Sequence, residues 1–196
     1  MAFDSFLSFY VCFREGFLTM LSDVIKRYGG KKMDPLDVYK DIFRIGEGFI
    51  QKEFEDSGSF KANPIAYYKN ENEEHGHFRI MFEDKFEEIY RNELVNADFC
   101  VMNGLTYFGA KYTSDRASKM CAMIFDIDGV TDNSLNNFFY AAFNKEFDYY
   151  PLPNYVALSG HGIHLYYVFE EPVPLFPNLK LQLKEFKYSL TEKMWN

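Results

Sequence analysis

The sequence predicts a mixed α/β fold, and three observations carry that expectation. Residues 120–127 form a nearly unbroken apolar run of strand length, the pattern of a strand covered on both faces. Leu135, Phe138, Phe139, Ala142 and Phe143 then recur at helical spacing as far as residue 147, with Asp132 or Asn133 placed to cap the helix. Pro151 and Pro153 precede a second strand, 155–159, which Gly160-His161-Gly162 turns into a third, 163–169. Strand, helix and hairpin in this alternation define a mixed α/β domain.

The earlier chain reads as mainly helical. Phe6, Phe9, Tyr10, Phe13, Phe17 and Leu21 fit a helix over 4–28, stopped by Gly29-Gly30. Asp34 as cap and Pro35 in the first helical position predict a second helix to about residue 54, weakened in its middle by Gly46 and Gly48. Polar stretches at 56–63 and 69–76 flank a short strand at 64–68, and 83–94 predicts a short acidic helix with Phe86, Ile89 and Tyr90 inward. A strand at 105–110, a polar loop at 111–119 and a last helix at 179–195 complete the elements.

With 196 residues, 47% of them hydrophobic, and 22 Phe plus 15 Tyr, the chain has ample material for a packed core. Cys12, Cys100 and Cys121 are odd in number and share no metal-ligand interval, which argues against a disulfide framework or a zinc knuckle. No apolar run approaches the ~18 residues of a membrane span. Asp4 stands where an export signal wants a basic residue, so the expected location is cytoplasmic, with no membrane partner. The net charge of −8 is uneven: 47–93 holds 12 acids against 6 bases, and 101–196 holds 10 against 8. Charge therefore neither supports nor excludes a nucleic-acid substrate.

Asp126 and Asp128, two apart on a strand, leave the same face, while Phe125 and Ile127 leave the other. Two carboxylates that close repel unless a cation sits between them, and Mg²⁺ or Mn²⁺ with oxygen ligands is the usual answer. Gly160 and Gly162, after Ser159, allow close approach of a phosphate to backbone N–H groups, and His164 stands on the following strand beside them. His161, at the turn, reads as exposed, and His75 and His77 as members of a solvated acidic loop. The whole reads as a metal-dependent phosphoryl or nucleotidyl transfer site.

At these residues the chain resembles the archaeo-eukaryotic primase superfamily, in its primase-polymerase branch from plasmids, phages and integrated elements. Ile124 to Asp128 matches the hydrophobic strand ending in Asp-x-Asp, and Ser159, Gly160, Gly162 and His164 match the Ser-Gly-x-Gly-x-His motif. The resemblance implies a primase-polymerase-like core around the Asp-x-Asp strand, with Asp126 and Asp128 binding Mg²⁺ or Mn²⁺ and His164 contacting the phosphates of a nucleoside triphosphate. Arg116 and Lys119, with Lys111, are further candidates for phosphate or template contact. Single-stranded DNA would be the template, and a helicase or replication protein a partner in replication of a mobile element or plasmid. On this reading 1–95 is an accessory region or first layer of the core, and 96–196 is the front part of the catalytic domain. The family's third acidic motif is missing from the 32 residues after His164, which implies a chain that is the front of a longer protein.

Two alternatives stand beside this one. Residues 125–130 also resemble the first motif of haloacid dehalogenase-like phosphatases, which makes Asp126 a nucleophile forming an aspartyl-phosphate and Asp128 the general acid/base. A nucleotide- or nucleic-acid-binding module that keeps the fold without turnover is the other.

Overall fold

The structure, a computed structural model, describes residues 8–11, 18–54, 61–144, 151–159 and 162–195. The chain opens with strand β1, Ser8–Val11, where the spacing predicts the front of a helix. Ser-Phe-Tyr-Val is aromatic and β-branched, suited to a pleated surface, and pairing with a neighbour on each side overrides the local helical period. The helical expectation holds further on, in α1, Leu18–Arg27, where Leu21, Val24 and Ile25 turn inward. The helix stops where expected. Gly29 takes φ +86°, and the N–H groups of Gly29 and Gly30 close onto the carbonyls of Lys26 (3.0 Å) and Ile25 (3.2 Å), the paired bonds of a left-handed helix end.

Strand β2, Lys31–Met33, leads into α2, Pro35–Ile42. Asp34 caps it as expected, its Oδ1 accepting the Leu36 N–H at 2.9 Å. The helix ends well before residue 54. Arg44 adopts φ +51°, Gly46 +99° and Gly48 +71°, and a right-handed helix cannot pass through such residues.

Strand β3, Ile65–Lys69, falls on the expected short strand, and β4, His77–Ile80, follows it. His77 therefore opens a strand rather than lying in a loop. A 3₁₀ turn at Glu83–Lys85, helix α3 at Phe86–Ile89 and a π turn at Tyr90–Leu94 together make the expected acidic helix, with Phe86, Ile89 and Tyr90 buried. Then come β5, Phe99–Met102, unexpected from the sequence, and β6, Leu105–Tyr107, shorter than expected. Strand β7, Ala117–Asp128, contains the expected acidic strand, buried without a break at Cys121, Ala122 and Met123 and alternating after that.

Helix α4, Asp132–Phe143, is capped by Thr131 rather than by Asp132 or Asn133. The Thr131 hydroxyl accepts the Ser134 N–H at 3.1 Å and the Ser134 hydroxyl accepts the Thr131 N–H at 2.9 Å, so each satisfies an amide of the other. Of the expected stripe, Leu135 and Phe139 are fully buried. Strand β8, Tyr155–Ser159, matches its expected bounds; β9, Gly162–Pro174, runs past residue 169; and α5, Pro177–Trp195, ends the description.

A six-stranded sheet has the order β2-β1-β8-β9-β7-β6, and a three-stranded sheet the order β4-β3-β5. In the larger, β1 runs parallel to β2 and β8, whereas β8 with β9 and β6 with β7 are antiparallel, so the fold is mixed α/β. The chain divides into two compact units: Met1–Val38, Met123–Val168 and Phe186–Asn196 in one, Tyr39–Ala122 and Phe169–Glu185 in the other. Strand β1, flanked by β2 and β8, belongs to the same sheet as the acidic strand β7. The N-terminal stretch is less helical than expected, since it contributes β1 to β4.

In the first unit, α1 packs on α4. Tyr28 meets Phe139 and Phe143 at centroid distances of 5.3 and 5.4 Å, and its hydroxyl donates to the Asn136 carbonyl at 3.1 Å. In the second, Tyr39, Phe43, Phe86 and Tyr90 form a ring cluster over α2 and α3. Burial pushes the Cys121 thiol up to about 12, against the influence of Lys119 and Arg44. Among the described residues no helix is long and apolar enough to cross a membrane.

Thr131→Ala should cost about 1 kcal/mol of stability in urea unfolding, the usual loss for a removed N-cap, while Thr131→Ser should cost much less.

Candidate functional site

Strand β7 emerges from its buried centre in alternation: Phe125 is 3% exposed, Asp126 is exposed, Ile127 is half-buried and Asp128 is exposed. The sequence builds this edge simply, by ending an apolar run in two acids at period two. Asp126 and Asp128 thus share a face, their Cα atoms about 6.7 Å apart along an extended strand. Gly129, at φ +69°, then redirects the chain toward Val130, which is buried, and the Thr131 cap.

His164 comes from β9 and lies beside Asp126, its Nε2 3.1 Å from Asp126 Oδ1. The register Ala157↔His164 and Ser159↔Gly162 carries β9 back along β8. Gly162, expected in the connection between the strands, is already paired in this register, while 160 and 161 lie outside the described residues. Ile163 and Leu165 are buried, while His164 keeps 30% of its side chain open. Tyr166 stands next along the same face, 6.5 Å from the imidazole between centroids. On the other face, Phe125 meets Tyr167 edge-on at 5.6 Å and carries the Lys187 ammonium 5.4 Å above its ring.

Gly162 is fixed by contact. A Cβ there would run into the Ile127 carbonyl oxygen and stand 2.9 Å from Asp128 Cα. The glycine lets β9 come against the end of β7, where Asp128 projects. The sequence expects this glycine to admit a phosphate, and the approach it permits here is that of the β7 backbone.

Three of the predicted residues, Asp126, His164 and Gly162, are therefore brought together, with Asp128 on the same face of the same strand. Ser159 supplies the backbone pairing with Gly162, and Gly160 lies outside the described residues, as does His161. Arg116 and Lys119 belong to the second unit. There Arg116 Nε pairs with Asp115 at 3.5 Å, and the Lys119 ammonium sits 4.7 Å from the centre of the Phe49 ring.

The donor set has a definite character. Among the described residues no group of three or more His, Cys, Asp or Glu gathers to hold a metal ion. Two carboxylates on one face nevertheless fit a Mg²⁺ or Mn²⁺ ion whose remaining ligands are water and substrate phosphate, the habit of magnesium in nucleotide sites. With Asp126 66% exposed, the Asp126–His164 pair is worth about 0–1 kcal/mol to the fold. Removing either side chain should leave the structure standing.

Gly162→Ala should lower stability by about 1–3 kcal/mol in thermal or urea unfolding, the range for forced overpacking. A neutral Gly162→Ala would show that β9 does not approach β7 as described.

Comparison with protein-family models, with curated proteins and with solved structures finds no match to this chain.

Proposed function

We propose that the first unit carries a metal-dependent nucleotidyl-transfer site of primase-polymerase type. The observation that carries this reading is the 3.1 Å approach of His164 to Asp126, with Asp128 on the same face. The two residues come from separate sequence motifs, the acidic strand end at 126–128 and the glycine-flanked histidine at 159–164.

The roles follow from the side chains. Asp126 and Asp128 would hold Mg²⁺ or Mn²⁺, which when bound supplies charge neutralisation for a triphosphate and polarises the attacking hydroxyl. His164, on the neighbouring strand, would hydrogen-bond a phosphate oxygen and orient the Asp126 carboxylate. Gly162 keeps β9 low enough for a nucleotide to reach both strands. The substrates on this reading are nucleoside triphosphates and a single-stranded DNA template, with a helicase or replication protein as a further partner, and the setting is replication of a mobile element or plasmid.

A second reading, binding of a nucleotide or nucleic acid without turnover, is favoured by the lack of a third ligating side chain among the described residues. The phosphatase reading is the weaker rival, because it leaves the imidazole against its nucleophile without a task.

Calorimetric titration separates these. Mn²⁺ alone should bind weakly, since the protein offers only two carboxylates, and a nucleoside triphosphate with Mn²⁺ should bind at least tenfold more tightly than either alone. Asp126→Asn and His164→Ala should each remove that metal-dependent binding without unfolding the chain. Primer extension on a DNA template by the wild type then decides between transfer and binding. If no triphosphate binds while a phosphate ester is hydrolysed in an Asp126-dependent way, nucleotidyl transfer is wrong.

A further inference from the structure

The three-stranded sheet of the second unit presents an open aromatic face. The registers Tyr67↔Phe78, Tyr67↔Val101 and Lys69↔Phe99 place Tyr67, Phe78, Phe99 and Lys69 on one side of it. Tyr67 lies 5.2 Å from Phe78 and 6.1 Å from Phe99 between ring centroids, so the rings form a row across all three strands. Phe78 is 56% exposed and Phe99 55%. That much aromatic surface left in water is a gain held in reserve for an occupant.

Beside Phe99 a cleft of about 320 Å³ is lined by Lys69, Asn70, Glu71 and Asp98. The Asp98 Oδ2 accepts the Glu71 N–H at 2.8 Å, which ties the two acidic positions together. Lys69 turns its ammonium to the Glu74 carbonyl at 3.2 Å. The loop carrying Glu71, Glu73 and Glu74 is held at the edge of the row, because Gly76 lies against the Tyr67 ring with no room for a Cβ. Several acids of this unit are matched by cations, among them Glu87 by Lys40 and Arg91, Glu88 by Lys85 and Glu93 by Arg79. The lining of the cleft carries two acids and one lysine.

An aromatic row with an acidic rim is complementary to a guanidinium, which stacks flat on a ring and forks its N–H groups onto carboxylate oxygens. The same rim repels the phosphates of a nucleic acid, although the rings alone would stack bases. We propose that this face docks an arginine-bearing basic segment of a partner protein, with a guanidinium in the cleft between the Phe99 ring and the Glu71 and Asp98 carboxylates. The proposal is independent of the nucleotidyl-transfer reading, since it uses none of the same residues.

The test is fluorescence anisotropy of a labelled eight-residue peptide of alternating Arg and Ser, titrated with the whole chain. Phe99→Ala and Asp98→Asn should each weaken binding about tenfold, and replacing the peptide's Arg by Lys should weaken it severalfold. Asp126→Asn should leave it unchanged. Circular dichroism establishes that each variant is folded, and both Phe99 and Asp98 are open enough to be changed without disturbing the core. Peptide binding that neither Phe99→Ala nor Asp98→Asn weakens is only general attraction to a chain of net charge −8 and overturns the proposal. So does preferential binding of a dodecathymidylate that Phe99→Ala and Lys69→Ala weaken, which makes the occupant a single strand. A concentration-dependent dimer in light scattering, lost in Phe99→Ala, makes it a second copy of the chain and overturns the proposal equally.

Discussion

The candidate site depends on one steric constraint, the absence of a side chain at Gly162. With no Cβ to hold the strands apart, β9 lies against the Ile127–Asp128 backbone at the end of β7. That contact sets where the following residues of β9 fall, and two residues on, the imidazole of His164 meets the carboxylate of Asp126. The pairing of β9 with β8 holds the other side, through Ser159↔Gly162 and Ala157↔His164. A strand so fixed on two sides can present a polar pair to solvent without relying on that pair for its position. This agrees with the small stabilisation expected of an ion pair as exposed as Asp126–His164.

The second unit solves a different problem, the irregular backbone of 43–54 and 61–64. Its backbone amides need partners, and long-range polar side chains supply them. Glu83 Oε1 accepts N–H bonds from both Gly46 (3.0 Å) and Gly48 (2.8 Å), while Asn63, 4% exposed, accepts the Gln51 N–H at 2.7 Å through its Oδ1. Asn63 also exchanges backbone bonds with Tyr107 at 3.0 and 2.8 Å, so an isolated bridge ties this segment to β6. Glycines at positive φ and one carboxylate therefore shape the loop, and a helix through 54 is ruled out by the same residues.

The sequence was legible where a local signal and the tertiary demand agreed. Asp34-Pro35 starts a helix, Gly29-Gly30 ends one, and the acidic strand and hairpin fall nearly where their patterns put them, because cap chemistry, left-handed glycines and alternation act over a few residues. It was illegible where pairing partners lie far away. Ser8–Val11 carries rings at helical spacing, yet its strand form is decided by β2 and β8, the latter nearly 150 residues on. β4 and β5 were missed for the same reason: each is four residues long and, among the described strands, pairs with β3. Of the candidate site, the spacing singles out Asp126, Asp128, Gly162 and His164, but the meeting of Asp126 with His164 comes from strand pairing. The exposed ring row was not, since Tyr67, Phe78 and Phe99 become neighbours only through the registers of three strands.

The uneven charge of the chain also acquires a physical meaning. Read from composition, the charge of −8 neither supports nor excludes a phosphate-bearing partner, because the excess of acids is concentrated in 47–93. In the second unit, however, many are engaged locally: Glu87 is held well below the usual carboxylate range, at about 2, by hydrogen bonds from Lys40 and Arg91, and Glu83 is spent on two glycine amides. Such carboxylates are structural, and their fields are largely cancelled within an ion pair and screened by salt over about 8–10 Å. In the first unit Asp126 and Asp128 stand exposed on one strand face, and on the proposed reading a cation would relieve the repulsion between them. Net charge is a property of the whole chain, whereas recognition of a triphosphate or a guanidinium is decided within a few ångströms. A chain of −8 can therefore present two exposed carboxylates on one sheet and an acidic, aromatic cleft on another.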